Sequence, residues 1–287
     1  MLKYSFLEWS VYVRHPDVVL LLGACAMGGC YVLLLWWCVP GKSPLRLTWD
    51  FAREHAVSRQ SLFYLLTLLG MMFLDLLENR YDHIITGQLG WDFTELFMRI
   101  EGPATSIFQM VQSDWLTYFM AVVYLYVFPV MGVVAVLATY HGGERDLARK
   151  LFWGAVLNYV LILPFFILVP IPERWAAGDG RVVLLLNEIS PYLIEGHRPL
   201  SGINNCFPSY HCSLALTFAL LLAKSANKRL RRTMYLVTAL VFVSTLYLGF
   251  HWVLDVLGGV VFASACTLLA TYAVENYELE LVLYRSR

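Results

Sequence analysis

The chain has 287 residues, of which 59% are hydrophobic and only 15% charged, and its 21 Lys and Arg are balanced by 21 Asp and Glu. A water-soluble domain carries about 25% charged residues, so this composition excludes an ordinary soluble fold and points to a membrane. The zero net charge provides no global field for nucleic acid, which is excluded as a partner.

In chain order, residues 1–16 alternate aromatic and polar side chains without a small-residue cleavage site, which predicts an interfacial helix rather than a signal peptide. Seven apolar runs follow, at 17–39, 60–79, 115–139, 151–170, 209–224, 233–250 and 252–274. A membrane-spanning helix needs about 20 such residues, so the fold class is an all-α integral membrane protein, a bundle of about six to seven transmembrane helices. Residues 40–59 read as a loop. Between the second and third runs, Phe93 to Ile100 reads as an amphipathic interfacial helix. Residues 171–208 form a polar segment rich in Pro and Gly. There is no repeat or low-complexity segment, and residues 1–287 form a single membrane-embedded domain. Of six cysteines, none forms a C-x-x-C pair, so neither a zinc site nor a disulfide framework is expected, and no metal-ligand cluster is visible.

Loop charge orients the bundle. Segments 40–59, 140–150, 224–232 and the C-terminal tail hold 14 of the 21 Lys and Arg, and the opposite loops hold seven. The positive-inside rule then puts the N-terminus outside and the C-terminus in the cytoplasm of a multi-pass cell-membrane protein.

The chemistry concentrates in residues 198–259, in two motifs on the non-cytoplasmic face. The first is Phe207-Pro208-Ser209-Tyr210-His211. The second runs from Ser244 through His251 and Asp255 to Gly258-Gly259. His251 and Asp255 are four apart, so on a helix they share a face. A carboxylate that accepts from one imidazole nitrogen fixes the tautomer and leaves the other as a nucleophile. His211 can serve as general acid for a leaving alkoxide. Pro208 suits the first turn of a helix, Ser209 and nearby amides suit an anion at its N-terminus, and Arg198 can clamp phosphate oxygens bidentately. Asp75 and Glu78 are candidate contacts for a substrate head group, or partners for Arg80 or Arg99. Glu101 and Asn205, with Gln109 and Tyr124, are further possible head-group contacts, with structural roles as the alternative. Gly258-Gly259 predicts close helix packing. Apart from an enzyme, these features leave open a multi-span transporter or receptor.

Together the two motifs resemble the type 2 phosphatidic acid phosphatase superfamily. Two positions depart from its usual pattern: Pro191 stands where a Lys is usual, seven residues before Arg198-Pro199, and Thr245 where an Arg usually follows the serine of the last motif. The run from Ser244 to Leu248, with His251, Asp255 and Gly258-Gly259, is more similar to the inositol phosphorylceramide synthase branch. That resemblance implies His251 as nucleophile, Asp255 as its partner, His211 as proton donor, and Ser209 and Arg198 as phosphate ligands. It also implies chemistry without metal or other cofactor. The implied substrates are a phospholipid donor with an inositol-phosphate-like head group and a lipid alcohol as acceptor. With water as acceptor the same residues give a phosphatase acting on phosphatidate or a polyprenyl phosphate.

Overall fold

A computed structural model describes residues 16–55, 59–189 and 202–276. The described chain is helical, without strands. Its helices are α1 (Pro16–Cys38), α2 (Pro44–His55), α3 (Arg59–Leu89), α4 (Thr94–Glu101), α5 (Asp114–His141), α6 (Arg145–Leu168), α7 (Tyr210–Leu222), α8 (Lys228–Tyr247) and α9 (Val253–Asn276). Short helical turns at Thr105–Gln109, Arg174–Ala177 and Leu186–Ile189 lie in the connections. An isolated parallel bridge joins Ile171 to Asn205.

Each apolar run of the sequence falls largely on one helix, and four of these helices (α1, α5, α6 and α9) are long and apolar enough to cross a membrane. The chain is an all-α membrane protein. The interfacial helix expected at 93–100 is α4, and the one expected at 1–16 lies outside the described residues. The loop expected at 40–59 is instead largely α2, which buries Leu47 and exposes Arg46, Asp50 and Arg53. Charge hid this helix because only one stripe of it is apolar. Helices also outrun their apolar segments. α8 starts at Lys228 because Asn227 caps it, the side chain accepting from Leu230 N at 3.0 Å.

Polar contacts sort the helix ends onto two faces. On one, Asn227 Nδ2 donates to Cys38 O (2.9 Å), Ser225 Oγ to Glu144 Oε2 (2.6 Å) and Arg145 Nη2 to Glu54 Oε1 (3.3 Å). On the other, Gln109 Nε2 donates to both Val183 O and Tyr247 O (2.8 Å each), and Trp252 Nε1 to Pro172 O (2.9 Å).

Central helix α7 packs against α6, α8 and α9. Asn158 of α6 is fully buried and bonds Gly154 O and Thr217 Oγ1, and accepts from Ser213 Oγ, which satisfies a polar group that would otherwise be costly inside the bundle. Gly258 and Gly259 allow α9 to reach the first motif. A Cβ at Gly258 would lie 2.6 Å from the Phe207 ring, and one at Gly259 would lie 2.9 Å from Ser209 O.

Candidate active site

The turn between α8 and α9 presents the nucleophile candidate. The carbonyl of Thr245 accepts from both Phe250 N (3.1 Å) and His251 N (3.2 Å), so the end of α8 fixes the backbone just before the ring. Gly249 makes the bend with φ of 89°, and a Cβ there would lie 2.4 Å from Val183 O. Trp252 then precedes α9, and Asp255 in its first turn reaches back to accept from Trp252 N at 2.9 Å. This is the geometry of an acidic residue closing a helix start, and it aims the carboxylate.

The same oxygen of Asp255, Oδ2, lies 3.2 Å from His251 Nδ1. Asp255 is fully buried and His251 nearly so, and Asp255 Oδ1 has no partner. With the carboxylate ionised, Nδ1–H donates and Nε2 keeps its lone pair. The His211 ring lies 5.8 Å from that of His251, centroid to centroid. Tyr124 stacks on His211 at 4.5 Å and on Phe250 at 4.7 Å, and so holds both motifs at one spacing. Tyr124 lies in a single π turn, Val123–Val127, within α5. Such turns occur often at functional sites, and from this one Tyr124 touches both motifs.

Ser209 caps α7: its Oγ accepts from Cys212 N at 3.3 Å and its own N–H donates to Asp255 O at 3.0 Å. The two motifs are therefore bonded to each other, and the N-terminus of α7 lies at the site. Pro208, expected in the first helical turn, instead precedes the cap residue. The backbone amides there favour an anion, whereas the Ser209 hydroxyl is buried and serves as the cap acceptor.

The remaining candidates divide. Arg198 and Pro191 lie outside the described residues. Asp75 accepts from Tyr159 OH at 3.1 Å, and Glu78 from Asn205 Nδ2 at 3.4 Å. Arg99 pairs with Glu95, within its own helix. Glu101 points into the protein, where it accepts from Thr105 Oγ1 and from Leu254 N (3.2 Å), the latter holding the start of α9. Gln109 is likewise structural.

Sequence reasoning missed Arg174. Its guanidinium is fully buried, stacks on Trp252 with its carbon 4.5 Å from the ring centroid, and donates to both oxygens of Asp179 (2.9 and 2.7 Å). These bonds hold the Asp179 carboxyl below its usual range. In sequence Arg174 looked like one more outer-face charge, because nothing local marks it for burial.

Another departure concerns metal ligands. The fold brings donor atoms of Cys206, His251 and Asp255 within 4.8 Å of one another, a set that sequence spacing did not reveal. Each residue has a protein bond: Cys206 Sγ donates to Phe250 O at 3.4 Å, and His251 Nδ1 and Asp255 Oδ2 bond one another, while Asp255 Oδ1 has no partner.

The family model described as the PAP2 superfamily matches residues 95–269, which include both motifs and the whole His211–His251–Asp255 constellation. No curated protein and no solved structure matches.

Proposed function

The chain belongs to the PAP2 superfamily, and from that membership we propose that it is a membrane lipid phosphotransferase that works through a phosphohistidine. Superfamily members are phosphatases and phosphotransferases, and this chain is an enzyme of that kind acting on lipid phosphates. The finer reading rests on one observation: an imidazole whose Nδ1 faces a buried carboxylate at 3.2 Å, with a second imidazole 5.8 Å away.

The steps follow from that arrangement. Nε2 of His251 attacks phosphorus, and the bond to the leaving oxygen breaks. His211 gives its proton to that oxygen. The imidazolium of phosphorylated His251 is stabilised by Asp255. An acceptor hydroxyl then attacks the phosphohistidine, His211 takes its proton, and free His251 returns.

Donor and acceptor are inferred from charge. Thr245 occupies a position where the family usually has Arg; it is buried, and its hydroxyl donates to Phe242 O at 3.0 Å. Pro191 replaces a Lys. Arg174 does not replace the missing charge, since Asp179 neutralises it. A site with fewer cations suits a phosphodiester monoanion better than a phosphomonoester dianion. The donor is then a phospholipid with an inositol-phosphate-like head group, and the acceptor a lipid alcohol, as in the inositol phosphorylceramide synthase branch. Arg198 remains the candidate cation and the α7 N-terminus the candidate phosphate cradle. The basic loops support a site on the non-cytoplasmic face.

The test compares lipids from cells expressing the wild type and His251→Ala. A new phosphodiester lipid found only with the wild type supports transfer. Free alcohol with inorganic phosphate would replace transfer by hydrolysis of phosphatidate or polyprenyl phosphate. Identical lipid profiles would refute both.

A further inference from the structure

Beside the site lies a cavity of about 840 Å³. That volume falls within the range of small-molecule sites, roughly 300–1,000 Å³. One end is walled by Phe128 and Tyr210. Phe128 sits 5.1 Å from the His211 ring, and Tyr210 is the neighbour of His211 in sequence. The other end is walled by Tyr140, Glu54 and Arg145 at the opposite face. Between these ends the wall is mostly apolar.

We infer that this cavity holds one hydrocarbon chain of the lipid on which the site acts, and that its polar floor sets the upper limit of chain length. The inference rests on the lipid-phosphotransfer reading above. Proximity carries it: the Phe128 and Tyr210 rings that wall this end lie 5.1 and 6.3 Å from the His211 ring, so a lipid with its head group at His251 has an apolar cavity within reach of its chain. Depth sets the class of chain. Twelve residues of α5 separate Phe128 from Tyr140, which at 1.5 Å per residue is about 18 Å. One leaflet of a bilayer core is about 15 Å deep, half of roughly 30 Å, so an ordinary acyl or sphingoid chain fits. The floor is not a second ligand site, because its groups satisfy one another. Arg145 Nη2 donates to Glu54 Oε1 at 3.3 Å and its guanidinium carbon lies 5.2 Å from the Tyr140 ring centroid. A hydrogen bond from Tyr140 also keeps the Glu54 carboxyl below its usual range. Pushing methylenes into that cluster would desolvate charges without compensation. A polyprenyl chain, several times longer, would have to pass it.

Ala155 on α6 lines the cavity and is absent from the reacting constellation. The test is Ala155→Phe in the full-length purified protein, with turnover measured on dioctanoyl and dioleoyl phosphatidylinositol. A partly blocked cavity should lower dioleoyl turnover by about tenfold while leaving dioctanoyl turnover within about twofold, the scale on which apolar pockets discriminate by a few methylenes. Retained short-chain turnover also shows that the variant folds. Equal losses on both donors would overturn the inference. A second measurement does not depend on turnover: a phosphatidylinositol with a photoreactive group at its chain terminus should crosslink to peptides of α5 or α6 that line the cavity. Crosslinks confined to lipid-facing peptides would also overturn it. Failure of the catalytic reading would look different, since His251→Ala would then retain turnover while the crosslinks persisted.

Discussion

Asp255→Asn separates the electrostatic role of the carboxylate from its structural one. Asp255 Oδ2 carries two bonds, one to His251 Nδ1 and one from Trp252 N. An asparagine keeps both by placing its amide oxygen there, because the reverse orientation would set an amide NH2 against the Trp252 N–H. The NH2 then occupies the Oδ1 position, which is buried and has no partner. That unsatisfied donor costs about 1–3 kcal/mol of stability, so the variant folds but melts earlier. The catalytic loss is larger. For unit charges at the observed 3.2 Å and an effective dielectric constant of about 20, the attraction is about 5 kcal/mol. This attraction is felt when the imidazolium forms, so its removal slows phosphoenzyme formation by a factor on the order of 10⁴. The assay is single-turnover labelling with a phosphorus-32 donor followed by a quench that preserves phosphohistidine, with a melting curve run in parallel. If the folded variant labels at more than a tenth of the wild-type rate, Asp255 is not the partner of the nucleophile.

Three further outcomes are expected. His211→Ala should slow turnover far more with the natural lipid than with a nitrophenyl ester of the same phosphate, because an acidic leaving group needs little proton donation; equal losses would remove His211 from that role. Turnover should survive EDTA, because attack by an imidazole nitrogen with proton transfer from His211 needs no metal; loss restored by a divalent ion would instead make Cys206, His251 and Asp255 a metal site. For sidedness, on a background without native cysteines, Arg181→Cys should react with an impermeant maleimide in intact cells and Lys228→Cys only after lysis; the opposite pattern would place the chemistry in the cytoplasm. Both positions are exposed, whereas neighbouring Gly178 has a left-handed backbone and Asn227 caps a helix.

Much of the fold, and the residues of the candidate site, were legible because they depend on local patterns. His251 and Asp255 do meet, although His251 lies in the turn before α9 and not on one helix face with Asp255, and the amphipathic stretch near Phe93 became α4. The apolar runs gave the helices but not their ends, since apolarity reports what the membrane demands and backbone bonding continues into charged turns such as that at Lys228. What could not be read joins distant segments. Arg174 looks ordinary until Asp179 and the Trp252 ring enclose it. Tyr124 gains its place only when His211 and Phe250 flank it. Cys206, beside the bridge between Ile171 and Asn205, meets His251 and Asp255 in the fold alone.

The π turn in α5 has a consequence for rotational phase. Bonding from i to i+5 accommodates one residue more than an α turn, and each α residue advances about 100° around the axis. The two halves of α5 are therefore out of step. The N-terminal half presents Thr117 to the Tyr247 hydroxyl at 2.8 Å, and the C-terminal half presents Phe128, Met131, Val136 and Tyr140, among others, to the cavity. A straight α-helix through the same positions would satisfy one of these surfaces and swing the other toward lipid. Tyr124 stands at the phase change, so the extra residue lets a single long helix hold Tyr247, the His211 ring and the cavity wall at once.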